Sequence, residues 1–342
     1  MMRLQLNARN LDCQHLKGIY FSNIYGMDDY MKTTSLNRRH WLIKYLSDVC
    51  KDILKSWKSY LLLSPYAVLF FTFVLLPVII SIYYSFTYYN IIQPAQFKGA
   101  TNYINLFLVD EIFPIALKNT LIIALVSGPL GYLASLIFAW LINELRPLMR
   151  GIMVLIFYAP SISGAAYVIW AVLFSGDAYG YMNGFLMKLN FINEPIQWLT
   201  DPKYMMTVVI IVVIWMSLGA GFLAFVAGFQ TIDKSLYEAG MVDGIRNRWQ
   251  ELWYITLPSI KPQLMFGAVM SITAAFAVSD VTVQLCGLPS TEYAAHTVVN
   301  HLQDYGYVRF EMGYASAIAT ILFAIMIFTN KFVQWLLKFV GR

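Results

Sequence analysis

The sequence predicts an all-α integral membrane protein that crosses the bilayer six times. Three observations carry that reading. Of the 342 residues 59% are hydrophobic and only 13% charged, with a mean hydropathy of +0.59, a balance far from that of a soluble domain. Charge-poor runs long enough to cross a membrane recur six times, and the basic residues outside them fall almost entirely on one side.

A helix needs about 20 mostly apolar residues, at about 1.5 Å each, to cross the hydrocarbon core. Such runs extend roughly from Tyr60 to Tyr84, Asn119 to Asn143, Gly151 to Phe174, Tyr204 to Gln230, Leu264 to Gln284 and Tyr314 to Val340. Lys331 lies inside the last, near its end, where a lysine stem can carry its ammonium into the headgroups. The first run follows some 58 polar and basic residues, so no cleavable signal peptide is expected and the first span is itself the targeting signal. The expected layout is a leader with an amphipathic segment over 1–58, a first span with its outer loop over 59–118, and a five-helix core over 119–340 that includes a polar loop at 231–262. Within the leader, Met27 and Met31 are plausible alternative starts. From Leu36 to Lys58, Trp41, Leu42, Tyr45, Leu46, Ile53, Leu54 and Trp57 alternate with basic residues. That pattern suits an amphipathic helix on the inner membrane surface or a solvated basic arm.

Nineteen of the 24 Lys and Arg residues sit in the leader, the Arg146–Arg150 turn, the 231–262 loop and the tail. The other five, Lys98, Lys118, Lys188, Lys203 and Arg309, belong to the alternate loops. By the positive-inside rule both termini and the 231–262 loop face the cytoplasm of a cell membrane. The net charge of +5 is modest and calls for no nucleic acid. Cys13, Cys50 and Cys286 have neither metal nor C-x-x-C spacing. The four histidines are scattered, and His296 and His301, five apart, are poorly spaced to share a metal on one helix.

The loop from Glu238 to Pro258 reads EAGMVDGIRNRWQELWYITLP. It begins as a short helix over Leu236 to Met241, which the turn signal Asp243-Gly244 ends. A second helix follows, with Arg248, Leu252 and Ile255, and Trp249 and Trp253, at three- and four-residue spacings. Pro258 interrupts its hydrogen-bond ladder ahead of span five. By physics alone this is either a plug for a protein groove or an interfacial loop on lipid headgroups.

The stretch resembles the Glu-Ala-Ala loop shared by the inner-membrane permease subunits of binding-protein-dependent ABC importers. Glu238, Ala239, Asp243, Gly244, Ile255, Leu257 and Pro258 match that loop, Gly240 stands where alanine is usual, and the segment from Gly244 to Pro258 is about one residue longer than the common form. Further likeness lies in Lys118-Asn119-Thr120-Leu121 and in the Pro160, Trp170, Phe174, Gly180 and Asn183 landmarks of the segment beginning FYAPSISG. WLTDP at Trp198 to Pro202 and GYASAIA at Gly313 to Ala319 match the carbohydrate branch. The resemblance implies a type I importer permease-like bundle and a coupling role for the loop residues, Gly240 included. It implies as partners a second permease chain, two ABC ATPase subunits and an extracellular solute-binding protein, with the lipid bilayer around the bundle. No cofactor is expected on this chain, and ATP and Mg²⁺ belong to the ATPase, since the sequence has no G-x-x-x-x-G-K-[ST] phosphate cradle. Glu238 is expected to meet a basic partner.

Asp280 is the one acid inside the predicted spans, about 24 Å along span five from Leu264 and therefore near the outer mouth. It suits either the outer interface or a cavity or gate. Trp215, Gly219 and Gly221 in span four and Tyr158 in span three are the further candidates for a substrate path, since sugar sites pair aromatic faces with a few hydrogen-bonding groups. The alternative function is an ion-coupled secondary transporter of a small polar solute, which needs buried ionisable residues that the spans lack apart from Asp280. An intramembrane enzyme would need a His/Asp/Glu or Ser/His constellation at span depth, and a channel would leave the loop without purpose.

Overall fold

The computed structural model describes residues 55–164 and 166–337. The leader, its amphipathic segment up to residue 54, Cys13, Cys50 and the last five residues lie outside the described residues. The chain forms two units that divide at Pro77 and Val78. Helix α1 (Trp57–Tyr84) is the first span. It contains a π turn at Phe71–Leu75, just ahead of Pro77. A proline ring clashes with the carbonyl four residues back, which for Pro77 is Phe73, inside the widened turn.

The second unit begins with a small outer element. Strand β1 (Thr87–Tyr88) pairs antiparallel with β2 (Gln96–Phe97), a minor exception to the all-α expectation. Helix α2 (Thr101–Leu108) follows, and the Asn102 side chain donates to the Ser85 and Thr87 carbonyls. Span two is α3 (Ile112–Asn143), seven residues longer at its start than the apolar run because Asp110 accepts from the Ile112 and Phe113 amides and caps it.

Span three departs from expectation. Instead of one helix over Gly151 to Phe174, α4 (Pro147–Ile162) and α5 (Ala166–Leu173) meet at a bend of 82°. Pro160 removes one ladder donor near the end of α4, and Ser163 turns extended there. Among the described residues five helices are thus long and apolar enough to cross a membrane, and six if this bent pair counts as one. A short α6 (Tyr181–Lys188) follows.

Span four is α7 (Pro202–Met216) with α8 (Ala220–Gln230), interrupted at Ser217 to Gly219. The polar loop contributes α9 (Lys234–Val242) and α10 (Arg248–Glu251), whose helix continues as a π turn at Leu252–Thr256 and a last turn at Leu257–Ser259. Span five is α11 (Lys261–Phe276) and α12 (Asp280–Cys286), interrupted at Ala277 to Ser279. After α13 (Val298–Gln303), span six is α14 (Met312–Leu337).

Three apolar clusters hold the second unit together. One joins Phe222, Phe225 and Phe229 of α8 to Ile142, Leu257, Ile260 and Leu264 at the loop end of the bundle. A second packs the valines of α7 against Ile123, Val278, Val281 and Leu285. The third joins Phe113 and Ala116 to Phe276, Val298, Tyr314 and Ile318. Burying such side chains contributes about 1.5–3 kcal/mol each in water, and here it fixes which helix faces look inward.

Candidate functional site: an elbow, a cavity and a cap

The polar loop is a two-helix elbow. Asp233 caps α9 by accepting from the Ser235 amide. At the other end Ile245 N–H donates to Gly240 O and Gly244 N–H to Met241 O, the paired closure of a Schellman motif, with Gly244 at φ +96° where side chains are strained. Gly240 is buried because a Cβ there would stand 2.6 Å from the Ile255 δ-methyl, so the missing side chain lets the second helix lie against the first. Asn247 caps α10 through the Gln250 amide. Pro258 follows the π turn at the spacing Pro77 has in α1, and its clashing carbonyl, that of Tyr254, again falls inside the turn. A π turn holds one more residue than an α turn. The break at Pro258 is narrow: Ile260 N–H still donates to Thr256 O, and Leu264 N–H to Ile260 O.

The elbow is fastened to the end of span two. Arg248 pairs with Glu144 at 3.2 Å and Glu251 at 2.8 Å, Trp249 packs on Trp140 with ring centroids 5.1 Å apart, and the Tyr237 and Thr256 hydroxyls are 3.0 Å apart. Between these contacts opens a groove of about 750 Å³, lined by Glu238, Arg150, Arg248 and Tyr237 among others. Glu238, Ala239, Asp243 and Gly244 are exposed, and so are Leu236, Met241 and Val242, the last by 87%. Ile255 is half-buried against Gly240 within the elbow, and Leu257 is buried in the cluster at the loop end of the bundle, so these two face inward.

The breaks in spans three, four and five meet at a cavity of about 320 Å³. Ser161 and Tyr167 reach it from the bent pair, Ser217 and Gly219 from span four, Ser271, Ser279 and Asp280 from span five. Gly128, at the midpoint of the 32-residue α3, closes one side and places the cavity near mid-depth. Counting along an unbroken span five puts Asp280 near its outer mouth, whereas the structure sets it in this cavity, just after the interruption of the span at Ala277 to Ser279. Gly219 and Gly221 line the same space. Trp215 and Tyr158 do not: Trp215 packs edge-on against Trp170, and Tyr158 offers its carbonyl to the Ser161 hydroxyl. The serines and Tyr167 were not singled out from sequence. Their only signal was weak polarity at single positions in apolar runs.

At the end opposite the elbow the sequence landmarks stitch loops together. Asn119 donates to the Tyr293 and His296 carbonyls, and Thr120 accepts from Val298 N–H. Asn183, fully buried, bonds the Ser175, Asp177 and Ile196 carbonyls, the Ile196 amide and Trp198 Nε1. Asp110 accepts from Tyr314 at 2.7 Å and lies 2.9 Å from His301 Nε2. Burial alone would raise the Asp110 carboxyl, but the bonds from Tyr314, the Phe113 amide and His301 outweigh it and leave it below the usual range. Burial lowers both histidines, and takes His296 down to about 4. The two rings, unrelated by sequence spacing, lie 5.6 Å apart. Among the described residues no group of three or more His, Cys, Asp or Glu side chains is arranged to hold a metal.

A bundle of membrane-crossing helices, with broken spans around a central cavity and a capped polar elbow at one end, defines the inner-membrane component of a transport system. The chain belongs to the family of binding-protein-dependent transport system inner membrane components, whose sequence model matches residues 127–342. It is 30% identical over 224 residues to the lactose transport system permease protein LacF of Rhizobium radiobacter, covering 65% of this chain and 74% of that one. To the arabinooligosaccharides transport system permease protein AraP of Bacillus subtilis it is 29% identical, over 81% of this chain and 88% of the relative. Among solved structures it is similar, at a TM-score of 0.68 and 25% identity, to a chain of a bacterial alginate ABC transporter in complex with an alginate pentasaccharide-bound periplasmic protein, over 85% of this chain and 98% of that one.

Proposed function

We propose that this chain is the transmembrane permease subunit of an ATP-driven importer for a sugar or oligosaccharide. It forms half of the translocation path and pairs with a second permease chain, two ATPase subunits that carry ATP and Mg²⁺, and an extracellular solute-binding protein. Both termini and the elbow face the cytoplasm, in line with the distribution of basic residues. Relatives named for lactose and arabinooligosaccharide transport support the cargo class.

The observation that carries the proposal is the elbow. It offers Glu238 and the exposed apolar side chains of Leu236, Met241 and Val242 outward, while its second helix passes into span five across a single broken turn. An ATPase cleft gripping that surface would tilt span five as it closed. Domains 1–58, 59–118 and 119–340 then serve as leader, first span with outer loop, and coupled core.

Reconstitution tests this reading. The chain, its partner permease and ATPase go into vesicles with ATP on the ATPase side and binding protein on the other, and oligosaccharides are screened for uptake. ATP-dependent accumulation, with crosslinks from Val242→Cys reaching the ATPase, is expected. Accumulation without any ATPase, or crosslinks that reach only lipid, would refute it.

A further inference from the structure

The mid-depth cavity holds one carboxylate and no counter-charge. Asp280 faces it exposed, with no hydrogen bond or ion pair among the described residues. Among the described residues no Lys or Arg side chain lines the cavity, and its other polar side chains are hydroxyls, among them Ser161, Tyr167, Ser217 and Ser271. The first turn of α12 explains why an acid is tolerated there, since helix N-termini favour negative charge. It does not consume that charge. Walls of alanine, valine and methionine flank the unpaired carboxylate in this half-open space and strengthen its field there relative to open water.

Resting on the reading of this chain as a saccharide permease, we propose that Asp280 is a charge filter in its half of the path. It admits uncharged saccharides and those bearing a protonated amine, and it excludes saccharides that carry a carboxylate or sulfonate. A sugar hydroxyl can donate to the carboxylate and exchange bonds with the serines, and an ammonium gains an ion pair. A uronate brings a second acceptor-only group to a site that already has one. The fold does not settle this choice, because one relative is named for lactose and a similar solved structure for the acidic polysaccharide alginate.

The assembled importer in membranes provides the test. In a background lacking Cys13, Cys50 and Cys286, Ser271→Cys is reacted with a cationic trimethylammonium methanethiosulfonate and with its anionic sulfonate counterpart. With Asp280 present the cation is favoured. Asp280→Asn should lower the cation-to-anion rate ratio on the order of tenfold, and Asp280→Glu should keep it. An unchanged ratio in Asp280→Asn overturns the filter, and so does a Ser271→Cys that reacts with neither reagent. Failure of the permease reading would be visible separately, as an importer that accumulates no saccharide while the rate ratio still depends on Asp280.

Discussion

Mild acid should loosen the cap at the end of the bundle opposite the elbow, and His296 should contribute a measurable share of the effect. Its ring is 1% exposed and neither nitrogen has a hydrogen-bond partner. Burial lowers its pKa from 6.5 to about 4, the nearby His301 and Arg309 push the same way, and Asp304 and Asp110 only partly oppose them. The sign follows from a base whose folded value is depressed. Above 6.5 both the closed and the opened cap hold neutral imidazole, and stability is complete. Between 6.5 and about 4 the opened form takes up a proton that the closed form refuses, so stability falls with pH and the loss levels off below about 4. The shift corresponds to about 3 kcal/mol at the limit and about 2 kcal/mol at pH 5. His301 titrates in the same direction and Asp110 only at lower pH, so wild type must be compared with His296→Gln and not with neutral pH alone. Hydrogen exchange of the amides in 290–303 and thermal melting in detergent, each at pH 8 and pH 5, provide the readout. The variant should lose about 2 kcal/mol less than wild type between the two conditions, a difference of roughly 4–8 °C in melting temperature. Parallel pH dependences in the two proteins would refute the assignment.

Gly244→Val should strain the left-handed turn by about 1–2 kcal/mol, leaving membrane insertion intact while ATP hydrolysis proceeds without uptake; equal uptake and hydrolysis losses would count against a coupling role. Gly240→Ala, by contrast, needs only the flexible ends of Ile255 and Ile245 to shift and gains up to about 1 kcal/mol of helix propensity, so melting and uptake should stay near wild type. Asn183→Ala strands the Ile196 amide, the Trp198 indole and three carbonyls, and should lower stability by about 2–4 kcal/mol as read by thermal melting. Arg248→Gln breaks two ion pairs, but its side chain is 63% exposed, so the loss should stay below about 1 kcal/mol and should shrink further in high salt.

What the sequence disclosed and what it hid divide along a physical line. Charge is costly inside a bilayer, so runs without it mark spans, and a polar interruption such as Glu238 to Pro258 stands out. The breaks at Ser163, Ser217 to Gly219 and Ala277 to Ser279 carry no charge and scarcely change local hydropathy, so the bend in span three and the cavity at the breaks were invisible to that criterion. The elbow's second helix could be read from residue spacing, but its π turn depends on where the Pro258 ring meets a carbonyl. Asn119 and Asn183 were recognisable as landmarks by resemblance only, because their partners lie on other segments, for Asn119 174 and 177 positions away. Asp110 and His301 are 191 positions apart, and no periodicity links them.

The same broken geometry explains how one element could join the three regions. Span five receives the elbow through the Thr256–Ile260–Leu264 bonds, forms the cavity wall with Ser271 and Asp280, and ties to the cap where the Ser279 hydroxyl donates to Gln303 at 2.9 Å and the Thr297 hydroxyl to Val278 O at 2.9 Å. A continuous helix would pass a tilt at Pro258 to the cap as one rigid rod. Under the proposed coupling, the interruption at Ala277 to Ser279 would act as a joint beside Asp280, so a tilt entering at the elbow would change the cavity before it reached the cap. Because Ser279 and Val278 are both held by the cap, that joint can turn only if the cap yields or moves with it. The bonds from α13 would therefore set the resistance against which the proposed ATPase works.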